Sequence, residues 1–441
     1  MSVENLQCAD APRETTFCKQ RAGDSGGRMM AMWPVKRMDE LCEITSSKRI
    51  FAADYVSEGV PFYRGREITE KYKGNLDVST ELFITEKKFI EIECKFGAPK
   101  TGDLLLTSVG TLGSVYVVKS SDRFYFKDGN LTWFRNFREL DSQFLYYWLG
   151  SPQGKAELQK ATIGSSQSAF TIVLLKGMEI KLPPLSAQRR IADILSAYDE
   201  LIENSQRRIR ILEEMARSLY REWFVYFRFP GHENHPLVPS SLGDIPQGWE
   251  VKPFTEVADV LSGGTPKTNV AEYWNGEIPF FTPRDAPSFF YVQETDKHVT
   301  ELGLVKCASQ LYPPDTVFIT ARGTVGKVAL PSLPMAMNQS CYALRGKLGV
   351  SQRFLFLMTL QQVEYLKTNT GGATFDTIVV DTFRRMEVVK PSIVIISCFA
   401  RQTDPIFEQV NTLQCQIQNL RQTRDLLLPR LLTGELNIEE Q

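Results

Sequence analysis

No run in the 441 residues approaches the roughly 18 consecutive apolar positions of a membrane-spanning helix. The stretch Ile393-Val394-Ile395-Ile396 falls far short. Met1-Ser2-Val3-Glu4-Asn5 has neither a basic n-region nor an apolar h-region, which argues against a secretory leader. The eight cysteines, at 8, 18, 42, 94, 307, 341, 398 and 415, form no Cys-x-x-Cys pair. Reduced thiols in a cytoplasmic setting are therefore expected. There are only three histidines: His232 and His235 lack a third ligand nearby, and His298 stands alone. No metal site is expected. An excess of one charge is missing too, with 51 Lys plus Arg against 52 Asp plus Glu. Any affinity for nucleic acid must then come from local clusters.

Catalytic signatures are equally scarce. Gly323-Thr324-Val325-Gly326-Lys327 resembles a phosphate-binding loop, but Ala321 and Val328 stand where a Walker motif needs Gly and Ser or Thr. No Gly-x-Ser-x-Gly elbow is present. Nor is there an Asn-Pro-Pro-aromatic or Asp-Pro-Pro-aromatic run of the kind amino-methyltransferases use to hold a flipped base. Glu213-Glu214 reads as a pair of solvating charges on a helix face. Without such motifs, the chain is expected to bind and organise rather than catalyse.

What the sequence has is ordinary globular composition, 43% hydrophobic and 23% charged, spread over enough residues for two to three domains. It also repeats itself. Trp33-Pro34-Val35-Lys36 returns as Trp249-Glu250-Val251-Lys252, 216 residues on. Val60-Pro61-Phe62-Tyr63 matches Ile278-Pro279-Phe280-Phe281 at 218, and Thr107 to Val115 matches Thr320 to Val328 at 213. Phe144-Leu145 and Phe354-Leu355 follow at 210, then Met178-Glu179-Ile180 and Met386-Glu387-Val388 at 208. The order is kept while the offset drifts, as loop-length differences would cause. The chain is two copies of one module.

Each copy opens with short β-branched runs, Gly turns and brief helices, an α/β pattern. Each closes with a long amphipathic helix. Ile191, Tyr198, Ser205, Leu212 and Leu219 recur every seven residues in the first copy, with Ile194, Leu195, Leu201, Ile202, Ile209, Met215 and Ala216 alongside. Phe399, Ile406, Leu413, Leu420 and Leu427 do so in the second, flanked by Val410 and Ile417. Heptads sustained this long predict a coiled coil; a helix packed only on its own domain is the alternative. Two such helices in one chain pair antiparallel and relate the copies by a pseudo-two-fold axis. Pro405 is expected either to kink the distal helix or to mark its first turn.

The expected boundaries are a flexible tail over 1–32, a first α/β domain over 33–183 and a central long helix over 184–228. A Pro/Gly/Ser-rich linker follows over 229–248, then a second α/β domain over 249–390. A distal long helix with the C-terminal tail occupies 391–441.

These features together resemble the DNA-specificity subunit of type I restriction–modification systems, over essentially the whole chain from Trp33. The carrying motifs are the duplicated module and the strand-turn around Gly110 and Gly323. Three more are Leu182-Pro183-Pro184-Leu185-Ser186-Ala187-Gln188-Arg189-Arg190-Ile191, Leu219-Tyr220-Arg221-Glu222-Trp223-Phe224 and the terminal Leu426 to Leu436 run. The distal helix departs from the pattern: Pro391-Ser392-Ile393-Val394-Ile395-Ile396 lacks Gln-Arg-Arg.

The resemblance implies that the α/β domains are target-recognition domains, each reading half of a bipartite duplex DNA sequence. It implies that the helix pair is a spacer that docks two methyltransferase subunits, joined for restriction by two motor-nuclease subunits. S-adenosylmethionine, ATP and Mg2+ would then belong to those partners and no cofactor to this chain. The setting would be the prokaryotic cytoplasm, on the nucleoid when DNA is bound. The 34 residues from Ile191 to Phe224 reach about 50 Å as helix, about one and a half turns of B-DNA.

Candidate DNA-contacting residues are Arg64, Arg66, Lys127 and Asn130 in the first domain, and Arg284, Arg322, Lys327, Asn338 and Gln339 in the second. Arginine suits guanine edges, and Asn or Gln suits adenine edges. Gly110, Gly113, Gly323 and Gly326 are expected to shape the turns. Two other functions stay open on residues alone: a protein-interaction scaffold, and, less in keeping with the missing motifs, a self-contained methyltransferase or nuclease.

Overall fold

The computed structural model describes residues 33–75, 78–164, 168–347, 349–369 and 377–436. The expected tail over 1–32 and the last five residues of the chain lie outside the described residues.

Both domains are built on the same antiparallel sheet. In the first, Glu43–Thr45, Leu131–Arg135, Leu104–Thr107 and Val115–Val117 lie side by side in that order. Leu104, Leu105, Leu106 and Phe134 are wholly buried, because both faces of this sheet are covered. In the second domain Ala258–Ser262, Cys341–Gly346, Val317–Thr320 and Val328–Pro331 repeat the order, and Tyr291–Val292 adds a parallel edge strand. A two-stranded ribbon closes each domain: Val35–Arg37 pairs with Glu179–Lys181, and Glu250–Pro253 with Glu387–Lys390. Each ribbon brings the beginning of its domain to the end and delivers the chain to a long helix. The copies diverge in the segment leading to the central strand. The first domain places helices Gly65–Tyr72 and Glu86–Phe96 there, while the second places strands Tyr291–Val292 and His298–Val299 and the short helix Glu301–Val305.

The central helix, Leu185–Tyr220, runs 36 residues and continues into a wider π-helical turn, Arg221–Val225. That turn shifts the register by one residue, and the adjacent Trp223 and Phe224 are both buried. At the other end the helix starts directly after Pro183-Pro184, and Gln188 of the Gln-Arg-Arg motif is wholly buried. Its Oε1 accepts the Asp141 N–H at 2.8 Å, and its Nε2 donates to the carbonyls of Glu139 and Pro183 at 2.9 and 2.8 Å. The motif therefore fastens the helix to its own domain. The equivalent distal position is Ile396, which is buried in an apolar cluster, so the missing glutamine is replaced by hydrophobic anchoring.

The distal helix, Ile393–Leu432, spans 40 residues and runs antiparallel to the central one. Arg424 pairs with Asp199 near one end. Near the other, the Trp223 and Phe399 rings lie 5.5 Å apart. The seam itself consists of Leu195, Ile202, Ile209, Ala216 and Trp223 against Ile396, Thr403, Val410, Ile417 and Leu431, all buried. Thr403 satisfies its hydroxyl on the Phe399 carbonyl at 3.1 Å. The series read from sequence flanks this seam. Ile191, Phe399 and Leu413 are buried, but Tyr198, Leu212, Leu219, Ile406, Leu420 and Leu427 are only partly covered. Neighbouring heptad series share one period, so spacing alone does not choose between them. Pro405 is not in the first turn. It sits inside the distal helix on an exposed face, where water can satisfy the freed Arg401 carbonyl.

Both domain cores incorporate helix ends. The first contains Ile191 and Leu195 from the central helix together with Leu431 and Leu432 from the distal one. The second contains Tyr220, Trp223, Phe224, Ile396 and Phe399. The segment expected as a linker is packed as well: Phe229 is buried and stacks 5.1 Å from Trp249, and Leu237–Val238 pairs with Ile245–Pro246.

Two helix side chains clamp the second domain. Glu213 is buried and accepts the Phe290 N–H at 2.6 Å, and the Gln414 side-chain amide donates to the Tyr291 carbonyl at 2.9 Å. Burial pushes the Glu213 carboxyl up to about 7, against the weaker pull of the Phe290 N–H and of Arg217. An acid whose folded pKa exceeds its unfolded one takes up a proton on folding. Its stabilising contribution is complete below the ordinary glutamate range and is lost as pH rises through about 7. Urea melts between pH 5 and pH 8 should therefore show the parent losing about 1–3 kcal/mol relative to Glu213→Gln. Identical pH profiles for the two proteins would remove this assignment.

Candidate nucleic-acid interface

The strand-turn repeated in the sequence is repeated in its main hydrogen bonds. Thr107 and Thr320 are wholly buried at the ends of the central strands. Thr107 Oγ1 accepts the Ser114 N–H at 2.8 Å, and Thr320 Oγ1 accepts the Lys327 N–H at 2.9 Å. Their carbonyls accept the N–H of Gly113 at 3.0 Å and of Gly326 at 2.8 Å. The four turn glycines have φ of 82° (Gly110), 83° (Gly113), 80° (Gly323) and 75° (Gly326). A left-handed backbone favours glycine because there is no Cβ to clash with the carbonyl. Three of them face open space, so backbone conformation alone demands the residue there. A Cβ on Gly326 would also come within 2.9 Å of Val363 Cγ1.

Around each turn the same loops are stitched together. The Ser108 N–H donates to the Asn130 carbonyl at 2.8 Å, as Ala321 does to Ser340 at 2.7 Å. The Phe170 N–H donates to Ser108, as Ile378 does to Ala321, both at 3.0 Å. The backbone N–H of Lys127 donates to the Tyr63 carbonyl at 2.9 Å, as that of Asn338 does to Phe281 at 3.0 Å. Side chains scattered through the sequence thus converge at one end of each sheet.

The charges there differ between the domains. In the second, Arg284, Arg322 and Lys327 are exposed and have no ion-pair partner among the described residues. Gln339 is exposed on the same surface and bonded to the Thr265 hydroxyl. Asn338 is half-buried, and its Oδ1 accepts the Ser340 N–H at 3.1 Å, a turn-forming role. In the first domain Lys127 is exposed and Asn130 half-buried, but Arg64 and Arg66 are engaged. Both reach Glu67 Oε1 at 3.1 Å, and Glu67 is wholly buried. Burial pushes that carboxyl up, yet the Arg64 guanidinium and backbone N–H outweigh it and hold Glu67 below the ordinary glutamate value. The two arginines expected as DNA-contacting candidates therefore share one carboxylate, which lies beside them in the sequence and offsets one of their two charges.

The structure adds residues that sequence reasoning missed. Arg49 pairs with Asp128 at 2.9 Å beside Lys127. Thr265 and Thr324 join the second cluster, the latter donating to the Pro283 carbonyl at 3.4 Å. The signal for Thr265 is the Gly263-Gly264 pair before it: a Cβ on Gly263 would lie 2.1 Å from the Asn338 carbonyl oxygen. In the first domain the turn also borders a groove of about 530 Å3 lined by Tyr72, Lys73, Leu112, Lys155 and Phe170. In the second, Val363 and Lys367 of helix Gln352–Asn369 pack against the turn instead.

A family model described as the type I restriction modification DNA specificity domain matches residues 30–214 and again 246–394. The chain belongs to this family. It is 26% identical over 428 residues to the type I restriction enzyme MjaIX specificity subunit of Methanocaldococcus jannaschii, covering 94% of this chain and 96% of that one. It is 24% identical over 404 residues to the HindI specificity subunit of Haemophilus influenzae, covering 77% of this chain and 87% of that one. Its fold is similar to the crystal structure of a type I restriction–modification S subunit from M. genitalium, with TM-score 0.57 and 16% identity over 92% of this chain and 97% of that chain. The two family matches coincide with the two copies seen in sequence and fold. Among the described residues no group of three or more metal-ligating side chains gathers, and no helix is long and apolar enough to cross a membrane.

Gly323→Ala should cost about 1 kcal/mol in thermal unfolding, the left-handed penalty alone. Gly326→Ala should cost at least about 2 kcal/mol, because Val363 must also move. Equal losses would mean that the contact with Val363 carries no weight.

Proposed function

We propose that this chain is the DNA-reading subunit of a type I restriction–modification complex, setting where partner subunits methylate adenine and cleave. The observation that carries the reading is that one turn-and-loop cluster, lined by polar and cationic side chains, is built twice on a single helix pair. Family membership supports it; nothing observed favours the scaffold alternative. Each domain reads one half-site, through Lys127 and Asn130 in the first and Arg284, Arg322, Lys327 and Gln339 in the second. Arg64 and Arg66 then act mainly by shaping the first domain's loop through Glu67.

The helix pair sets the gap. The apolar anchors Leu195 and Trp223 are 28 positions apart on the central helix, about 42 Å at 1.5 Å per residue. That exceeds one B-DNA turn of about 34–36 Å, so the two domains reach separate grooves. Chemistry belongs to the partners: two methyltransferase subunits with S-adenosylmethionine, and two motor-nuclease subunits with ATP and Mg2+. The complex works in the cytoplasm, on the nucleoid. With near-zero net charge on this chain, the partners also supply part of the non-specific attraction to DNA.

Base-resolution mapping of methyladenine, with this chain and its methyltransferase against the methyltransferase alone, should yield one bipartite motif that depends on this chain. An active, bound methyltransferase with no such motif would overturn the reading. Removing seven residues from the middle of each long helix keeps the seam in register and shortens it by about 10 Å. The unread gap should shrink by about three base pairs. Arg322→Ala should change specificity at one half-site if Arg322 reads a base. If it touches phosphate, it should weaken all sequences alike and reduce the salt slope by about 1.

A further inference from the structure

The turn that the two domains share leaves different space beside it. In the second domain one unbroken helix, Gln352–Asn369, runs past the turn and fills that space: a Cβ on Gly326 would come within 2.9 Å of Val363 and 3.3 Å of Lys367. In the first domain the corresponding chain forms two helices, Ser142–Gly150 and Pro152–Lys160, with a corner between them. Ser151 caps the second of these, its hydroxyl donating to the Trp148 carbonyl at 2.6 Å and accepting the Gly154 N–H at 3.1 Å. The corner needs glycine at 154, where a Cβ would lie 2.0 Å from the Trp148 carbonyl oxygen. At the offset of 210, the residues matching Val363 and Lys367 are Gln153 and Glu157, and neither lines the space at the turn. A Cβ on Gly113 would meet nothing within 4 Å. The broken helix is what opens the groove of about 530 Å3.

The lining of that groove selects its occupant. Among the described residues it has no Asp or Glu, and it has two exposed lysines, Lys73 and Lys155. Lys155 has no ion-pair partner among the described residues, and Lys73 meets Glu70 at 3.2 Å in a pair open to solvent. Such a lining attracts an anion. Tyr72, 39% exposed, and the half-buried Phe170 add aromatic surface on which a flat ring can lie. Ser114 and Thr69 are buried beneath and bonded to one another at 3.2 Å, while the exposed Gln159 amide suits a base edge. The volume lies within the about 300–1,000 Å3 of small-molecule sites, room for one nucleotide and too little for a helix. The groove is continuous with the turn-and-loop cluster, because Leu112 and Gly113 belong to the turn and the Phe170 N–H donates to the Ser108 carbonyl.

We infer that the groove is a nucleotide site of the first domain, holding one base against Tyr72 and Phe170 and its phosphate on Lys73 and Lys155. The second domain, whose helix fills the same place, has no counterpart. The nucleotide has two sources: one turned out of the duplex bound at the first half-site, at the cost of unstacking it, or a free nucleotide from solution. The DNA source rests on the function proposed above; the site itself does not.

Two measurements separate the sources. In the first, duplexes carrying the mapped motif, with an iodopyrimidine in place of each pyrimidine of both strands in turn, are bound by the full chain with its methyltransferase, irradiated and digested. A DNA nucleotide in the groove should crosslink to Tyr72 or Phe170 from one position in or beside the first half-site. In the second, adenosine, guanosine, cytidine and thymidine monophosphates are titrated into the full chain by calorimetry. A free-nucleotide site should bind one of them with a Kd below about 1 mM. Whichever signal appears, Lys155→Glu should reduce it at least about tenfold by reversing a charge, and Leu112→Trp should do so by filling the groove. Lys155 is exposed, and unchanged circular dichroism and melting will show that its variant folds. A complex that methylates its motif without a crosslink to the groove, together with no monophosphate bound at about 10 mM, would overturn the site. So would a signal that both variants leave untouched. A complex that methylates no motif overturns the DNA-reading function instead, and calorimetry then decides the site by itself.

Discussion

The antiparallel seam between the central and distal helices is the constraint from which the rest of the structure follows. Neither domain has a core that closes without it. Each contributes a sheet whose helix-facing side is finished by side chains from both helices, so the relative placement of the two turn-and-loop clusters is set by packing rather than by a flexible tether. Close-packed interiors deform little, and that gives the spacer its rigidity.

The two ends of the seam solve the same problem with different chemistry. At the first domain, Asp199 accepts the Tyr147 hydroxyl at 2.6 Å and pairs with Arg424, a polar lock between a domain and both helices. At the second, Tyr220, Trp223, Phe224, Phe354 and Phe399 interleave at ring separations of 4.8 to 6.2 Å. The shared architecture therefore rests on geometry and backbone hydrogen bonds, while side-chain chemistry is free to drift. The turn-and-loop clusters follow the same rule. Their main-chain bonds match pair for pair, whereas free cations dominate one and a buried carboxylate ties down the arginines of the other. Two domains so related can read different sequences without any change to the scaffold that aims them.

The duplication, the long helices and the turn glycines were legible in the sequence because each leaves a strong local mark. A repeated order of motifs, a seven-residue period and paired glycines are visible without knowing any contact. The seam register was not, since the series of Ile191 and that of Leu195 have the same period and only the partner helix distinguishes them. The linker misled because Pro, Gly and Ser set backbone shape, while its burial depends on Phe229 meeting Trp249 across the aromatic cluster. Arg64 and Arg66 looked available because sequence shows their charge; that Glu67 is buried between them is a tertiary fact. Gln188 is the reverse case. It was recognised as a family mark, and the three hydrogen bonds of its amide now give the physical reason.

The incorporation of Leu431 and Leu432 into the first domain's core has a consequence for how the chain comes to be folded. A protein made from its N-terminus usually completes its leading domain first. Here the sheet and short helices of the leading domain are synthesised early, but two of its core side chains, Leu431 and Leu432, are made only after the whole second domain. Until they arrive, that domain waits with an apolar face uncovered. The second domain, whose helix partners Tyr220, Trp223 and Phe224 precede it, has its whole core in hand once residue 417 has emerged. The first domain to be made is the last to be finished.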